Sequence, residues 1–576
     1  MEANKASRSV AAGWAMAVVV VAALALRLAG IDWSLPSRLH YFSYHPDEIL
    51  VVRAAQTLSP YTGQLNPHFF NYGSLYMLLI SAVLPLAHAL LFSTLFTDYL
   101  TARLLTALMG AATACMLCLA AWDPRKSASE GGESTRWRWA RGVLAAAVLA
   151  IMPLHVAHSH YATVDVPATF WVALSLLGAG RLMQEPRLKW YLLSGAAVGL
   201  AASTKYNCAI AVLSILAAHL LAGRVTPGDR ARAASPRLLL PILAVVVAAA
   251  AFVVGTPGVI LSTGEFLRDV RYESMHTRTG HGLVFVGAGN GWWYHLATNL
   301  RYGLTTPLLL LCLAAVVFTL WRRRPLGLVA MAFALPYYLS IGVFSVRFTR
   351  YLVPILPGLA LVTADLVYWL ATRTALVGWR RAARTAGLAL AALAMASGLV
   401  ASLAYVSLYL RHDPRDRTYE WLLANARGRS VGLTTVPWFY SPPVSPYNAG
   451  PQSARAFWQH LAESPFRLQV DDPSAGGAQL LRDPVHRPAY FVISDFEYGD
   501  PLRLRGRNGM PSAAAQQVER FGEFWDALNA NYRRVAVFSE DPAIGPIRLP
   551  KRGLPPHDWL YPYPTLLVYE ARQRAS

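Results

Sequence analysis

Long apolar runs dominate the chain from residue 11 to residue 408, interrupted by short polar stretches. A helix needs about 20 apolar residues, at 1.5 Å rise each, to cross a bilayer. Such runs fall at 11–30, 73–92, 99–122, 140–157, 164–182, 190–204, 207–222, 237–256, 303–321, 325–343, 351–371 and 385–408. Beyond residue 408 the pattern changes. Segments 419–426 and 521–530 read as short helices, and 430–435, 489–494, 534–538 and 565–569 read as short β-runs. Pro-rich connections at 437–446 and 555–564 separate them. The pattern predicts a polytopic α-helical membrane domain over 1–408 and a soluble α/β domain over 409–576.

Charge gives the expected topology. Of a net +20, the first 408 residues carry 32 Lys and Arg against 15 Asp and Glu, whereas the tail carries 20 against 17. The excess therefore lies among the spans, the mark of positive cytoplasmic loops and anionic lipid rather than of a nucleic-acid partner. Lys5 and Arg8 put the N-terminus in the cytoplasm, ahead of an uncleaved first span. The basic loops at 123–141, 223–237, 321–324 and 373–384 all fall inside only if 73–92 does not cross. That run is therefore predicted to lie along the outer interface, giving about eleven spans and an extracytoplasmic tail. Cys115, Cys118, Cys208 and Cys312 all lie in apolar runs, and the C-x-x-C spacing of the first two reads as packing.

The outer polar stretches carry the candidate chemistry. Asp47 and Glu48 follow Pro46 in the first outer loop, His45-Pro46-Asp47-Glu48, and Asp47 reads as the catalytic carboxylate. Asp165 opens a later span on the same side, either as a helix cap or as a second acidic site. Outward-facing cations break the charge rule and so call for a reason: Arg53, Arg103, Lys205, Arg271, Arg347 and Arg350 among them. Lys205 is one of only five lysines. It either snorkels or, with Arg347 and Arg350, binds a phosphate held at the membrane surface. His158 and His160 flank Asp165. A divalent metal there and plain imidazole tautomers beside a polar cavity are both open readings. Loop 257–302 adds mixed charge and an aromatic cluster, Trp292-Trp293-Tyr294.

These motifs together resemble the GT-C superfamily of glycosyltransferases, in the branch of protein O-mannosyltransferases and lipid A aminoarabinose transferase. The resemblance rests on His45-Pro46-Asp47-Glu48, Tyr161-Ala162-Thr163-Val164-Asp165-Val166-Pro167, Ser203-Thr204-Lys205-Tyr206, and Arg350-Tyr351-Leu352-Val353-Pro354-Ile355-Leu356-Pro357. Asn71-Tyr72-Gly73 stands where relatives often read H-P-P. The resemblance implies transfer of a monosaccharide, with inversion, from a polyprenyl-phosphate donor to an extracytoplasmic protein or glycolipid acceptor in the bacterial inner membrane. Asp47 would then act as general base, with Glu48 and Asp165 assisting and Lys205, Tyr206, Arg347 and Arg350 holding the donor phosphate. Arg53, Arg103, His158, His160 and Arg271 are further substrate-binding candidates. No cofactor is required by this reading, and a metal is left open. Two other classes compete. A lipid-linked glycan polymerase or ligase would share the cations but not need Asp47. A transporter or flippase would show internal repeats, and none is evident.

Overall fold

The computed structural model describes residues 2–121, 135–225, 239–373, 376–448, 450–473, 477–551 and 555–572. The centres of the basic loops at 123–134 and 226–237 lie outside the described residues. The helical part opens with α1 (Glu2–Leu28), α2 (Glu48–Gln56), α3 (Leu75–Leu91), α4 (Leu95–Ala121), α5 (Thr135–Ala150), α6 (Pro153–His158), α7 (Asp165–Gln184), α8 (Leu188–Ala202), α9 (Val212–Val225) and α10 (Leu239–Gly255). An amphipathic helix, Thr263–Thr279, precedes the later apolar helices Thr306–Arg322, Pro325–Ile341, Leu356–Thr372 and Gly378–Tyr409. Among the described residues, four helices are long and apolar enough to cross a membrane, or five when one bent pair counts as a single span. Seven further apolar helices are shorter.

Most predicted runs contain one helix. The run at 140–157 does not: it breaks at Ile151–Met152, because Pro153 lacks the N–H that would continue the helix and its ring crowds the preceding turn. α8 and α10 touch through small residues. A Cβ on Gly199 would come within 2.1 Å of the Ala248 carbonyl oxygen, so only glycine allows the backbones this close.

Both ends of α3 are anchored to the bundle. At its start, Ser74 N donates to Thr256 Oγ1 (3.2 Å) and Leu75 N to the Ser203 carbonyl (3.0 Å). In its last turn, His88 reaches Asp98 at the start of α4 (2.6 Å). Arginines gather at the other end of α4. Arg141 donates to the Ala121 carbonyl (3.0 Å), Arg181 to Leu119 (3.0 Å), and Arg324 clasps Asp365 at 2.6 and 2.9 Å.

The tail folds around a mixed five-stranded sheet. Its strands are β1 (Ser430–Leu433), β2 (Arg467–Val470), β3 (Tyr490–Ser494), β4 (Tyr532–Phe538) and β7 (Leu566–Ala571), in the order β2-β1-β3-β7-β4. β1 runs parallel to β2 and β3, while β7 runs antiparallel to β3 and β4. A two-stranded pair, β5 (Ala543–Ile544) with β6 (Ile547–Arg548), lies between β4 and β7 in sequence. Alternation puts Tyr490 and Val492 in one core, with Leu422 and Phe466, and Phe491 and Ile493 in another, with Phe524 and Leu528. All four β-runs expected in the tail form strands; β2 was not anticipated.

One ion pair ties together the end of the bundle where α2 begins. Glu48 and Arg103 are fully buried. Arg103 Nε and Nη2 donate to the two Glu48 oxygens at 2.7 and 2.6 Å, and Ala162 N donates to the same carboxylate at 2.6 Å. Arg103 Nη1 also donates to the carbonyls of Ile31 (3.0 Å) and Trp33 (2.5 Å). Glu48 is expected to assist catalysis and Arg103 to bind substrate; here the two are buried against each other and neither lines the cavity that Asp47 lines. Both Glu48 oxygens and four of the five Arg103 N–H groups are used inside the protein. Removing one partner strands a buried charge, which costs about 3–5 kcal/mol. Glu48→Gln is therefore expected to lower stability by that amount in detergent-solubilised protein. The double variant Glu48→Leu/Arg103→Met should lose less, and thermal unfolding checks this. A double variant less stable than either single one would refute the pair's structural role.

Candidate active site

The end of the bundle that meets the tail holds a cavity of about 590 Å³, closed partly by the tail. Its wall includes Asp47 from the start of α2, Asp165 from the start of α7, Lys205 and Tyr206 from the turn after α8, and Arg350 and Tyr351. Glu273, His276 and Arg278 enter from helix Thr263–Thr279, and Trp438, Phe439, His557 and Tyr561 from the tail.

Local structure explains the placement. Asp47 is the residue just before α2, whose frame is fixed by the buried Glu48. Lys205 ends a turn that packs on 71–75. A Cβ on Gly73 would come within 2.0 Å of the Ser203 carbonyl oxygen, so the close approach of the two backbones requires glycine here. The Tyr206 hydroxyl lies 2.9 Å from the carbonyl oxygens of both Phe70 and Tyr72, pinning the same segment.

The charged groups are paired across the cavity wall. Arg350 Nη2 lies 3.1 Å from Asp47 Oδ2, and Lys205 Nζ lies 2.6 Å from Asp165 Oδ1. The Arg350 guanidinium sits 4.0 Å above the Phe348 ring and Lys205 Nζ 5.0 Å above the Tyr351 ring. Asp558 of the tail accepts the backbone N–H groups of Thr349 and Arg350, both at 3.0 Å. Burial pushes the Asp47 carboxyl above the ordinary carboxylate range; Arg350 opposes the rise, and Asp165, Asp558 and Glu48 add to it. Burial likewise raises Glu273 and lowers His281 to about 4 and His557 to about 3, so both imidazoles are neutral near pH 7.

The anticipated site residues divide into two groups. Asp47, Asp165, Lys205, Tyr206 and Arg350 share the cavity. Arg347 does not line it: its Nε donates to the Phe344 carbonyl (3.1 Å). Arg53 and Arg271 are exposed and lie off the cavity wall. His160 is locked in packing, with its ring nitrogens 2.9 and 3.1 Å from the carbonyl oxygens of Val156 and Ala29 and its ring stacked on Tyr409. His158 is buried behind the wall against Tyr161. Among the described residues, no three His, Cys, Asp or Glu side chains converge to hold a metal ion. Asp165 meets Lys205, and His155 meets Arg27 (2.9 Å), so the histidine cluster does not form a ligand set with Asp165.

The tail's contribution was missed because 555–564 reads as a Pro-rich connection. Its signal was aromatic density: Trp559, Tyr561 and Tyr563 crowd between prolines. These residues hold the tail to the bundle. Arg415, fully buried, is clamped by Asp413 (2.7 Å) and donates to the carbonyls of Phe439 (2.5 Å) and Tyr561 (2.8 Å). Tyr405 donates to the Trp559 carbonyl at 2.9 Å.

Comparison with known proteins places these features in context. The family model described as dolichyl-phosphate-mannose-protein mannosyltransferase matches residues 137–254. No curated protein matches the chain significantly. Among solved structures, the chain is similar to ArnT from Cupriavidus metallidurans bound to undecaprenyl phosphate. That match has 15% identity and a TM-score of 0.44, and covers 96% of this chain and 98% of that one. It is also similar to the archaeal oligosaccharyltransferase AglB from Archaeoglobus fulgidus, in complex with an inhibitory peptide and a dolichol-phosphate. There the identity is 12% and the TM-score 0.45, with coverage of 84% and 69%. The protein O-mannosyltransferase complex of S. cerevisiae bound to its sugar donor aligns at 18% identity and a TM-score of 0.27, over 49% and 36%. The stretch bearing Asp165, Lys205 and Tyr206 thus matches the dolichyl-phosphate-mannose-protein mannosyltransferase family, in keeping with the GT-C glycosyltransferase resemblance of the motifs on either side.

Proposed function

We propose that this protein is an integral-membrane glycosyltransferase that moves a monosaccharide, with inversion, from a polyprenyl-phosphate donor to a hydroxyl of an extracytoplasmic acceptor. The observation that carries the reading is one cavity in which a carboxylate with an elevated proton affinity, Asp47, stands beside two cations, Arg350 and Lys205. The cavity lies at the opposite end of α4 from the arginine cluster around Asp365. That arrangement fits cytoplasmic arginines and an outward-facing site in a bacterial inner membrane. It also fits an α3 that stays at the outer interface, hence about eleven spans over 1–408 and an extracytoplasmic unit over 409–576.

In the proposed step, the acceptor hydroxyl gives its proton to Asp47 as its oxygen bonds to the anomeric carbon. The bond from that carbon to the phosphate oxygen breaks, and its electron pair leaves with the lipid phosphate. Arg350 and Lys205 stabilise the charge that develops there. Asp165 holds Lys205 in position, and the aromatic wall from the tail excludes water.

Two results are expected. Asp47→Asn should insert and unfold like the wild type, yet transfer from a labelled polyprenyl-phosphate sugar should fall by roughly 10²–10⁴-fold; full transfer by the folded variant would remove Asp47 from the chemistry. The base must be ionised, so activity falls as pH drops through its pKa. Because burial raises that pKa, the acidic limb of kcat/KM should lie above the ordinary Asp value of about 3.9. Arg350 is the group that lowers Asp47, so the residual activity of Arg350→Gln should show the limb moved higher still. A limb at or below about 4 in the wild type, or a downward move in Arg350→Gln, would contradict the assignment.

A further inference from the structure

The cation nearest the base is already occupied. Arg350 lies 3.1 Å from Asp47, so the side chain read as a phosphate ligand is neutralised by the carboxylate read as the base. A base held in an ion pair is a weaker proton acceptor, and a guanidinium held by a carboxylate is less free to bind phosphate. The surroundings permit an exchange. The Arg350 backbone is fixed, because Asp558 accepts both its N–H and that of Thr349 at 3.0 Å. The guanidinium is held less tightly: it rests on the Phe348 ring at 4.0 Å, and Nη1 is 3.5 Å from the Tyr561 hydroxyl. It can therefore turn across an aromatic face while its main chain stays still.

The geometry points to Arg350 as an exchange residue: the donor's phosphate takes the guanidinium from Asp47, and the base is released only once donor is bound. This rests on the reading of Asp47 as base and of the donor as a lipid phosphate. While paired with Asp47, Arg350 offsets the influence of Asp165 and Asp558 on it. When phosphate captures the guanidinium, Asp47 keeps those negative neighbours, loses part of its cation and becomes a stronger proton acceptor. Coupling of this kind arms the base in the presence of the sugar donor and leaves it quiet otherwise. Lys205 has a different setting. Its pairing is shorter, 2.6 Å against 3.1 Å, and its partner Asp165 is more deeply buried than Asp47, so it stays in place as a fixed positive charge.

The exchange makes an opposite-sign prediction for binding and transfer. With Asp47 neutral, Arg350 has no competitor, so Asp47→Asn should lose transfer and bind undecaprenyl phosphate more tightly. A charge-assisted bond freed in this way is expected to give at least about tenfold. Arg350→Gln should bind the same lipid more weakly than wild type, and Asp47→Asn/Arg350→Gln should show no gain over Arg350→Gln alone. The measurement is a titration of full-length protein in nanodiscs with undecaprenyl phosphate, repeated with inorganic phosphate to separate the headgroup from the lipid. Asp47→Ser serves as a second variant if Asp47→Asn does not fold. Equal or weaker lipid-phosphate binding by a folded, transfer-dead Asp47 variant overturns the exchange and leaves the base assignment standing. Retained transfer by Asp47→Asn overturns the base assignment itself.

Discussion

A carboxylate with no access to water must find every partner it needs inside the protein, and Glu48 meets that requirement more fully than any other group at this site. Its two oxygens take two donors from Arg103 and one from the Ala162 backbone, while Arg103 spends its remaining nitrogen on the carbonyls of Ile31 and Trp33. Four segments, namely the end of the first helix, the start of α2, the first turns of α4 and the loop before α7, are held at one point. Asp47 and Asp165 each flank one of these segments. The pair of catalytic candidates is thus positioned by a buried pair that does not line the cavity. The cost of desolvating two charges is offset by their bidentate geometry and by the two carbonyls that Arg103 Nη1 reaches.

The second constraint comes from the tail. Arg415 is as buried as Arg103, and it links Asp413, next to the last membrane helix, to the carbonyls of Phe439 and Tyr561. Trp33 of the first outer loop donates to the same Asp413 (3.1 Å), and Tyr44 donates to Asp416 (2.5 Å). The sheet of the tail is therefore joined to the helical bundle through the loop that carries Asp47. Through Asp558 it also fixes the backbone of Arg350. The cavity has walls from both parts, and neither part alone supplies a complete one.

Much of this was legible in the sequence, for reasons that differ by element. The apolar runs gave the helices because length and hydrophobicity are local properties. The β-runs of the tail were visible from β-branched and aromatic density, but β2, Arg-Leu-Gln-Val, is too short and too polar to stand out. Asp47, Asp165, Lys205 and Arg350 were found because charge beside an apolar run needs a reason. The same logic selected Arg53, Arg103, Arg271 and Arg347, and it could not separate them. Whether an arginine faces a cavity, a carbonyl or a carboxylate depends on residues far away in sequence. Arg103 meets Glu48 across 55 positions and Arg350 meets Asp558 across 208. The Pro-rich stretch of the tail was misjudged for the same reason: what makes 557–561 part of the site is its contact with 349–350.

The different fates of Asp47 and Glu48 show how finely this is set. They are neighbours, of the same chemical type, at the start of one helix. Successive residues entering a helix project about 100° apart. Here that rotation turns one carboxylate into the cavity and the other into the protein. Glu also carries one more methylene than Asp, which lets Glu48 reach Arg103, whereas the shorter Asp47 stays at the cavity wall within 3.1 Å of Arg350. Of two like charges this close, only one can sit in low dielectric at modest cost, and only if it is fully paired. Glu48 takes that position, and its charge is the smallest of the influences that raise the proton affinity of Asp47. The dipeptide thus works as a unit: the buried member fixes the helix start, and the cavity-facing member is left with a single, exchangeable partner.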